Sequence, residues 1–134
     1  MPKLSFVEGI GPAYEEKLNA LGIKTTEKFF ELAATKKGRQ ELAEKSGISE
    51  KLILEWTNMI DLYRIKGVGS EYADLLEEAG VDTVAELAGR RADNLLKKME
   101  EVNAQKQLVR LLPSLKMVEK WIAQAKTLPR GIEY

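Results

Sequence analysis

Two glycine pairs, Gly9-Ile10-Gly11 and Gly67-Val68-Gly69, each begin two residues after an apolar one, Val7 or Ile65, and lead into a helical pattern. Paired glycines let the backbone turn tightly and expose its N–H groups. A helix that starts there adds unpaired amides and the positive end of its dipole, and the two together can hold a phosphate. The chemistry on offer is therefore main-chain binding. The 134 residues include no Cys and no His. This excludes disulfides, and with them any sign of an oxidising compartment. It also excludes soft or imidazole-based metal sites, Cys–His and Ser–His–Asp catalysis, and a histidine proton shuttle. Paired carboxylates such as Glu77-Glu78 and Glu100-Glu101 fall on polar helix faces and read as solvated charge. Neither Gly-x-Gly is a dinucleotide loop, because no strand precedes it and Gly11-Pro12-Ala13-Tyr14 lacks the third glycine. No constellation supports a named reaction, a cofactor, a metal or a small-molecule substrate.

Charge bears on what such a main chain could bind. The 21 Lys and Arg balance the 21 Asp and Glu, so the chain lacks the basic surplus of a dedicated nucleic-acid binder. The balance is uneven along the sequence. Residues 63–90 carry three basic and six acidic side chains, whereas residues 91–134 carry nine basic and five acidic. The basic set is Arg91, Lys97, Lys98, Lys106, Arg110, Lys116, Lys120, Lys126 and Arg130. It reads as a solvated face complementing the acidic segment, or as a phosphate-binding face centred on Lys97, Lys98 and Lys106. At 44% hydrophobic and 31% charged, the composition is that of a globular chain, not a disordered one. No apolar run is long enough to span a membrane, and the opening stretch breaks at Glu8, too early for a signal peptide. The expected location is the cytoplasm.

The glycine pairs belong to a longer internal match. At an offset of 58, Gly9 meets Gly67, Gly11 meets Gly69, Tyr14 meets Tyr72, Leu18 meets Leu76, Gly22 meets Gly80 and Thr25 meets Thr83. At an offset of 65, Ser49 through Trp56 parallels Ser114 through Trp121, so the second copy holds about seven extra residues. The expectation is one compact domain over 1–134, built of unit one at 5–62, unit two at 63–128 and a short C-terminal tail. Each unit reads as helical. Tyr14, Leu18 and Leu21 fall at i, i+4, i+7, as do Tyr72, Leu76 and Ala79. Pro12 suits a first helical position, Gly22 and Gly80 suit left-handed caps, and Thr25, Thr83, Ser49 and Ser114 suit N-caps. Further helices are expected at 36–45, 50–63, 92–101, 104–111 and 115–127. Trp56 and Trp121 lie on the apolar stripes of the two long helices and read as core. No segment has the period of a strand.

Val7-Glu8-Gly9-Ile10-Gly11 and Ile65-Lys66-Gly67-Val68-Gly69 have the form apolar-x-Gly-apolar-Gly, each with a helix after it. This resembles the helix-hairpin-helix motif. Taken whole, the chain is similar to a poorly characterised family of small stand-alone tandem helix-hairpin-helix proteins. The resemblance implies an all-α fold of two helix-hairpin-helix units related by a pseudo-two-fold internal repeat. It also implies hairpin backbones that contact the sugar-phosphate chain of DNA without reading bases, in some members with a monovalent cation on the hairpin carbonyls. Carried over, the contacts are the backbones of Gly9, Ile10, Gly11 and Ala13 in the first hairpin. In the second they are Gly67, Val68, Gly69 and Glu71, with Lys66 supplying local positive charge. Binding members commonly carry Lys or Arg just after the second glycine. Here those places hold Pro12-Ala13-Tyr14 and Ser70-Glu71-Tyr72, and Glu8, Glu15, Glu16, Glu71 and Asp74 lie close by.

Two functions follow. One is weak, salt-sensitive, non-sequence-specific binding to a nucleic-acid backbone. The other is a protein-interaction or self-association module in which the hairpins serve as structural corners. The second reading rests on the neutral charge, the acidic hairpins and the lack of a long helix before the first hairpin. Helix 115–127 could return to cover that face and close a ring; otherwise a partner or a second copy must cover it. An enzyme is not expected. Val81-Asp82-Thr83-Val84 superficially resembles the catalytic-Asp segment of base-excision glycosylases, but it falls at the ordinary Gly-x-x-Thr break, where Asp82 has a turn role.

Overall fold

The computed structural model describes residues 2–134, and among them all regular structure is helical. A short 3-10 helix, Leu4–Phe6, precedes α1 (Pro12–Ala20), α2 (Thr26–Ala33), α3 (Lys36–Ser46), α4 (Glu50–Leu62), α5 (Ser70–Glu78), α6 (Val84–Ala88), α7 (Ala92–Lys106) and α8 (Leu115–Ala125). A single antiparallel bridge, Lys3 to Thr25, accompanies them.

The helix starts follow from local chemistry. The hydroxyls of Thr25, Thr35 and Ser49 accept from Lys28, Gly38 and Leu52 N–H groups at 3.1, 3.0 and 3.2 Å. Thr83 and Ser114 accept from Glu86 and Met117 at 3.3 and 3.2 Å. Each bond satisfies an amide that no intrahelical carbonyl can reach. At the other ends, Gly22, Gly47 and Gly80 take positive φ and turn the chain out of α1, α3 and α5.

The chain forms two units. The first ends at Asp61 and also takes in Gly131–Tyr134; the second is Leu62–Arg130. In the first, Leu4, Val7, Ile10, Leu18, Ile23, Phe29, Ile53 and Trp56 are buried. In the second, Ile65, Val68, Leu76, Val81, Leu87, Leu95, Met99 and Trp121 form one apolar cluster.

Four details depart from the sequence expectations. Leu21 is exposed rather than on the core stripe, because α1 has already ended and Ile23, past the glycine turn, fills the buried place. No helix spans 104–111. Instead α7 runs unbroken to Lys106, Gln107 takes a left-handed conformation at φ 52°, and 108–113 is irregular up to the Ser114 cap. Helix α8 packs on α6 and α7 of its own unit. Beside the first hairpin, Trp56 of α4, the helix that ends the first unit, packs behind Gly9 and against Tyr14.

The fourth concerns the tail, which the first unit holds. Ile132 is buried, and Glu133 N–H donates to Ala34 O at 2.8 Å. Buried Arg39 donates to Ala33 O at 2.9 Å and to Glu133 O at 2.6 Å. The guanidinium fork thereby ties the end of α2 to the last residues of the chain.

Candidate functional site

The two glycine corners share one local geometry. Ile10 N–H donates to Val7 O at 3.1 Å, and Val68 N–H donates to Ile65 O at 3.1 Å. Each bond closes a four-residue turn whose third residue, Gly9 or Gly67, has φ +95°. That place admits glycine without strain and resists a Cβ. The flanking side chains Val7, Ile10, Ile65 and Val68 are buried, so they anchor the turn while the backbone between them stays outside.

The second glycine of each pair does something different. Gly11 (φ −82°, ψ −179°) and Gly69 (φ −101°, ψ −165°) are extended and serve as N-caps of α1 and α5. Neither has a side chain to bond the first-turn amides. Helices α2, α3, α4, α6 and α8 are all closed by a Thr or Ser hydroxyl. The two helices that leave the glycine corners thus start with amides open to an external acceptor.

Behind each turn stands a tryptophan. A Cβ on Gly9 would lie 3.2 Å from Trp56 Nε1, and one on Gly67 would lie 3.2 Å from Trp121 Nε1. Tyr14 packs against Trp56 with ring centroids 5.1 Å apart, and Tyr72 against Trp121 at 5.2 Å. The tail helix of each unit therefore carries the indole on which its corner rests, with the tyrosine of the following helix beside it.

The corners differ in what surrounds them. At the first, Glu8 precedes Gly9, Pro12 removes one of the open amides, and the Glu15 carboxylate accepts from Ser5 N–H at 3.1 Å. At the second, Lys66 replaces Glu8 and Ser70 replaces Pro12, which restores that amide. The Lys66 backbone is clamped by one side chain: its N–H donates to Gln124 Oε1 at 3.0 Å, and Gln124 Nε2 donates to its carbonyl at 3.4 Å. The first unit has buried Met59 in the corresponding place. Glu71 lies exposed on the first turn of α5 and opposes an anion there.

The structure divides the expected site residues. Gly9, Ile10, Gly11 and Ala13 form one corner and helix start, and Lys66, Gly67, Val68, Gly69 and Glu71 form the other; Ile10 and Val68 contribute backbone alone, because their side chains are buried. Lys97 and Lys98 are exposed on α7, a helix that packs against α5 and α8. Among the described residues no hydrogen bond or ion pair joins them to the second corner. Lys106 is engaged, its ammonium meeting the Glu78 carboxylate. Arg91 forks onto Asp93 at 3.1 Å, and Arg90 donates to Gly80 O at 2.7 Å. Two members of the basic C-terminal set, Arg91 and Lys106, are thus engaged by local carboxylates. The Asp93 carboxyl is held below its ordinary value of 3.8, first by the bond from Arg91 and then by the bond from Asn94 N–H.

Gln124 was not legible as a site residue. Gln124 lies one turn past Trp121 on the face that meets the corner, which is the signal that could have marked it. Among the described residues, no group of three or more acidic side chains is placed to hold a metal ion. No helix is long and apolar enough to cross a membrane.

Residues 8–128 match the model of a family described as a domain of unknown function (DUF4332). A stretch of 75 residues, 56% of the chain, is 33% identical to part of the adenylosuccinate synthetase of Trichlorobacter lovleyi and covers 17% of that protein. The chain therefore spans a small fraction of that relative's length. No solved structure matches.

Proposed function

The chain belongs to the domain of unknown function family DUF4332, and from that premise we propose that it is a non-catalytic helix-hairpin-helix module that holds a nucleic-acid backbone weakly and without reading its sequence. One observation carries the reading. The two helices that leave the glycine corners start from a bare glycine, whereas five others are closed by a hydroxyl. Open amides at the positive end of a helix suit a phosphate. The second corner is the stronger candidate, because Lys66 and the Ser70 amide stand where the first has Glu8 and Pro12. Glu71 and the zero net charge keep the affinity low, so salt abolishes binding early.

The test is fluorescence anisotropy with labelled duplex and single-stranded DNA at two ionic strengths. The reading expects micromolar binding at low salt, a steep salt slope, and loss on Lys66→Glu. Absence of binding at low salt overturns it.

The second reading, a protein-interaction or assembly module, keeps one specific support. An apolar groove in the first unit is lined by Leu21, Ile23, Leu32 and Leu42, with Leu21 41% and Leu32 39% exposed. Self-association in sedimentation that Leu32→Ser abolishes favours it.

A further inference from the structure

In the first unit the segment Gly131–Tyr134 fills the angle between the α2–α3 junction and α4. Glu133 N–H donates to Ala34 O at 2.8 Å, Arg39 of α3 donates to Glu133 O at 2.6 Å, and Tyr134 O–H donates to Asn58 Oδ1 of α4 at 3.3 Å. Ile132 is buried. The segment is not helical. It is held through its main chain, one aliphatic side chain and one phenol.

The second unit has the same frame and, among the described residues, an open groove in place of a segment. Arg91 is the N-cap of α7 as Thr35 is of α3. Ala123 of α8 follows Asn58 by the offset of 65 that also relates Trp121 to Trp56. Between the α6–α7 junction and α8 the groove measures about 580 Å³. Leu115, Ile122 and Ala123 supply its apolar part, with Leu115 44% exposed. Ala123 is exposed, whereas Asn58 is buried.

The charges of the two places differ. Arg39 stands four residues past Thr35, and buried Leu95 stands four past Arg91. A guanidinium that grips a peptide carbonyl is thus replaced by a leucine, and the cations of the second unit stand on the rim. These are Arg90, Arg91 and Lys126, against Asp93 and Glu119. Arg91 pairs with Asp93 at 3.1 Å, and Arg90 donates to Gly80 O at 2.7 Å. Lys126 is the cation left over. It takes the place of Asp61 at the offset of 65, and Glu119 lies about two turns back along α8.

We propose that this groove docks a non-helical segment of a protein partner in which an aliphatic side chain precedes a carboxylate, the pattern of Ile132-Glu133. The aliphatic group covers Leu115, Ile122 and Ala123, and the carboxylate meets Lys126. Two observations carry this. The matching frame in the first unit already holds such a segment, and the rim of the second offers an unmatched cation. The tail of a second copy is the weaker occupant, because Ile132, Glu133 and Tyr134 are engaged within their own unit. The proposal does not use the glycine corners and stands apart from the nucleic-acid reading.

NMR titration of the isotope-labelled full chain with the capped peptide Gly-Ile-Glu-Tyr, and with Gly-Ile-Lys-Tyr as its control, tests this. Saturable shifts should appear at the Ala92, Leu115, Ala123 and Lys126 amides. The Glu peptide should bind about fivefold more tightly than the Lys peptide, the scale of one exposed ion pair. Lys126→Glu should reverse that order. Ala123→Arg, a change at an exposed position that fills the groove, should abolish the shifts and leave the rest of the spectrum in place. Absence of saturable shifts, equal affinity for the two peptides, or shifts confined to the amides around Arg39 and Asn58 overturns the proposal. A dimer in sedimentation that both Ile132→Ser and Ala123→Arg dissolve gives the groove to a second copy and overturns the separate partner. None of these readouts depends on DNA binding.

Discussion

Trp56 rests its indole nitrogen 3.2 Å from where a Cβ on Gly9 would sit, and Trp121 stands in the same relation to Gly67. In each unit the last long helix thereby meets that unit's own glycine corner, and a residue without a side chain is what lets it do so. The tight turn has two independent reasons for glycine at that place, φ +95° and the indole behind it.

Alanine scanning of the corners should separate those reasons from general glycine effects. Gly9→Ala and Gly67→Ala should each destabilise by about 1–3 kcal/mol, since strain at positive φ adds to an indole that must give way. Gly11→Ala should cost less than about 1 kcal/mol, because its backbone is extended and nothing lies within 4 Å of a new Cβ. Urea denaturation compares the three, and equal costs would refute the distinction.

Gly38 is a different case, a glycine inside α3. A Cβ there would sit 2.0 Å from Leu32 O, a backbone atom of α2. Gly38→Ala should therefore lower stability by about 2 kcal/mol or more by forcing α2 and α3 apart, despite alanine's better helix propensity. A melting temperature that rises would mean the two helices do not approach so closely.

The buried Arg39 should hold the last residues of the chain. Arg39→Ala removes two charge-assisted bonds, to Ala33 O and Glu133 O, and should cost about 2–3 kcal/mol. The Glu133 amide, bonded to Ala34 O, should then exchange with solvent far faster than in the wild type. Unchanged exchange would show that Ile132 burial alone secures the segment.

Asp93 offers a pH test. Its folded pKa is depressed by Arg91 and the Asn94 N–H, so the ionised form is the stabilised one. Its contribution is full above the unfolded value near 3.8 and is lost as pH falls through the lower folded value. Arg91→Gln should raise the carboxyl midpoint toward 3.8, read by carbon NMR of the Asp93 side chain. A midpoint that stays put would assign the shift to the backbone amide alone.

Much of this molecule is determined locally and could be read from the chain. The all-helical class, the Pro12 start, the left-handed Gly22 and Gly80 and the hydroxyl caps of Thr25, Ser49, Thr83 and Ser114 all depend on neighbours within a few residues. Glycine, proline and short hydroxyl side chains act through their own backbone, so their meaning survives without knowledge of the fold.

Tertiary packing decided the rest. Which helix covers the first corner, where Gly131–Tyr134 docks and that Gln124 clamps Lys66 all depend on residues distant in sequence. An apolar stripe shows that a helix will be buried but not against what, since the hydrophobic effect is non-directional. The expected helix at 104–111 failed for a more local reason. Asn103 bonds the Val109 backbone on both sides, and that side-chain bracket stands in place of helical bonds there.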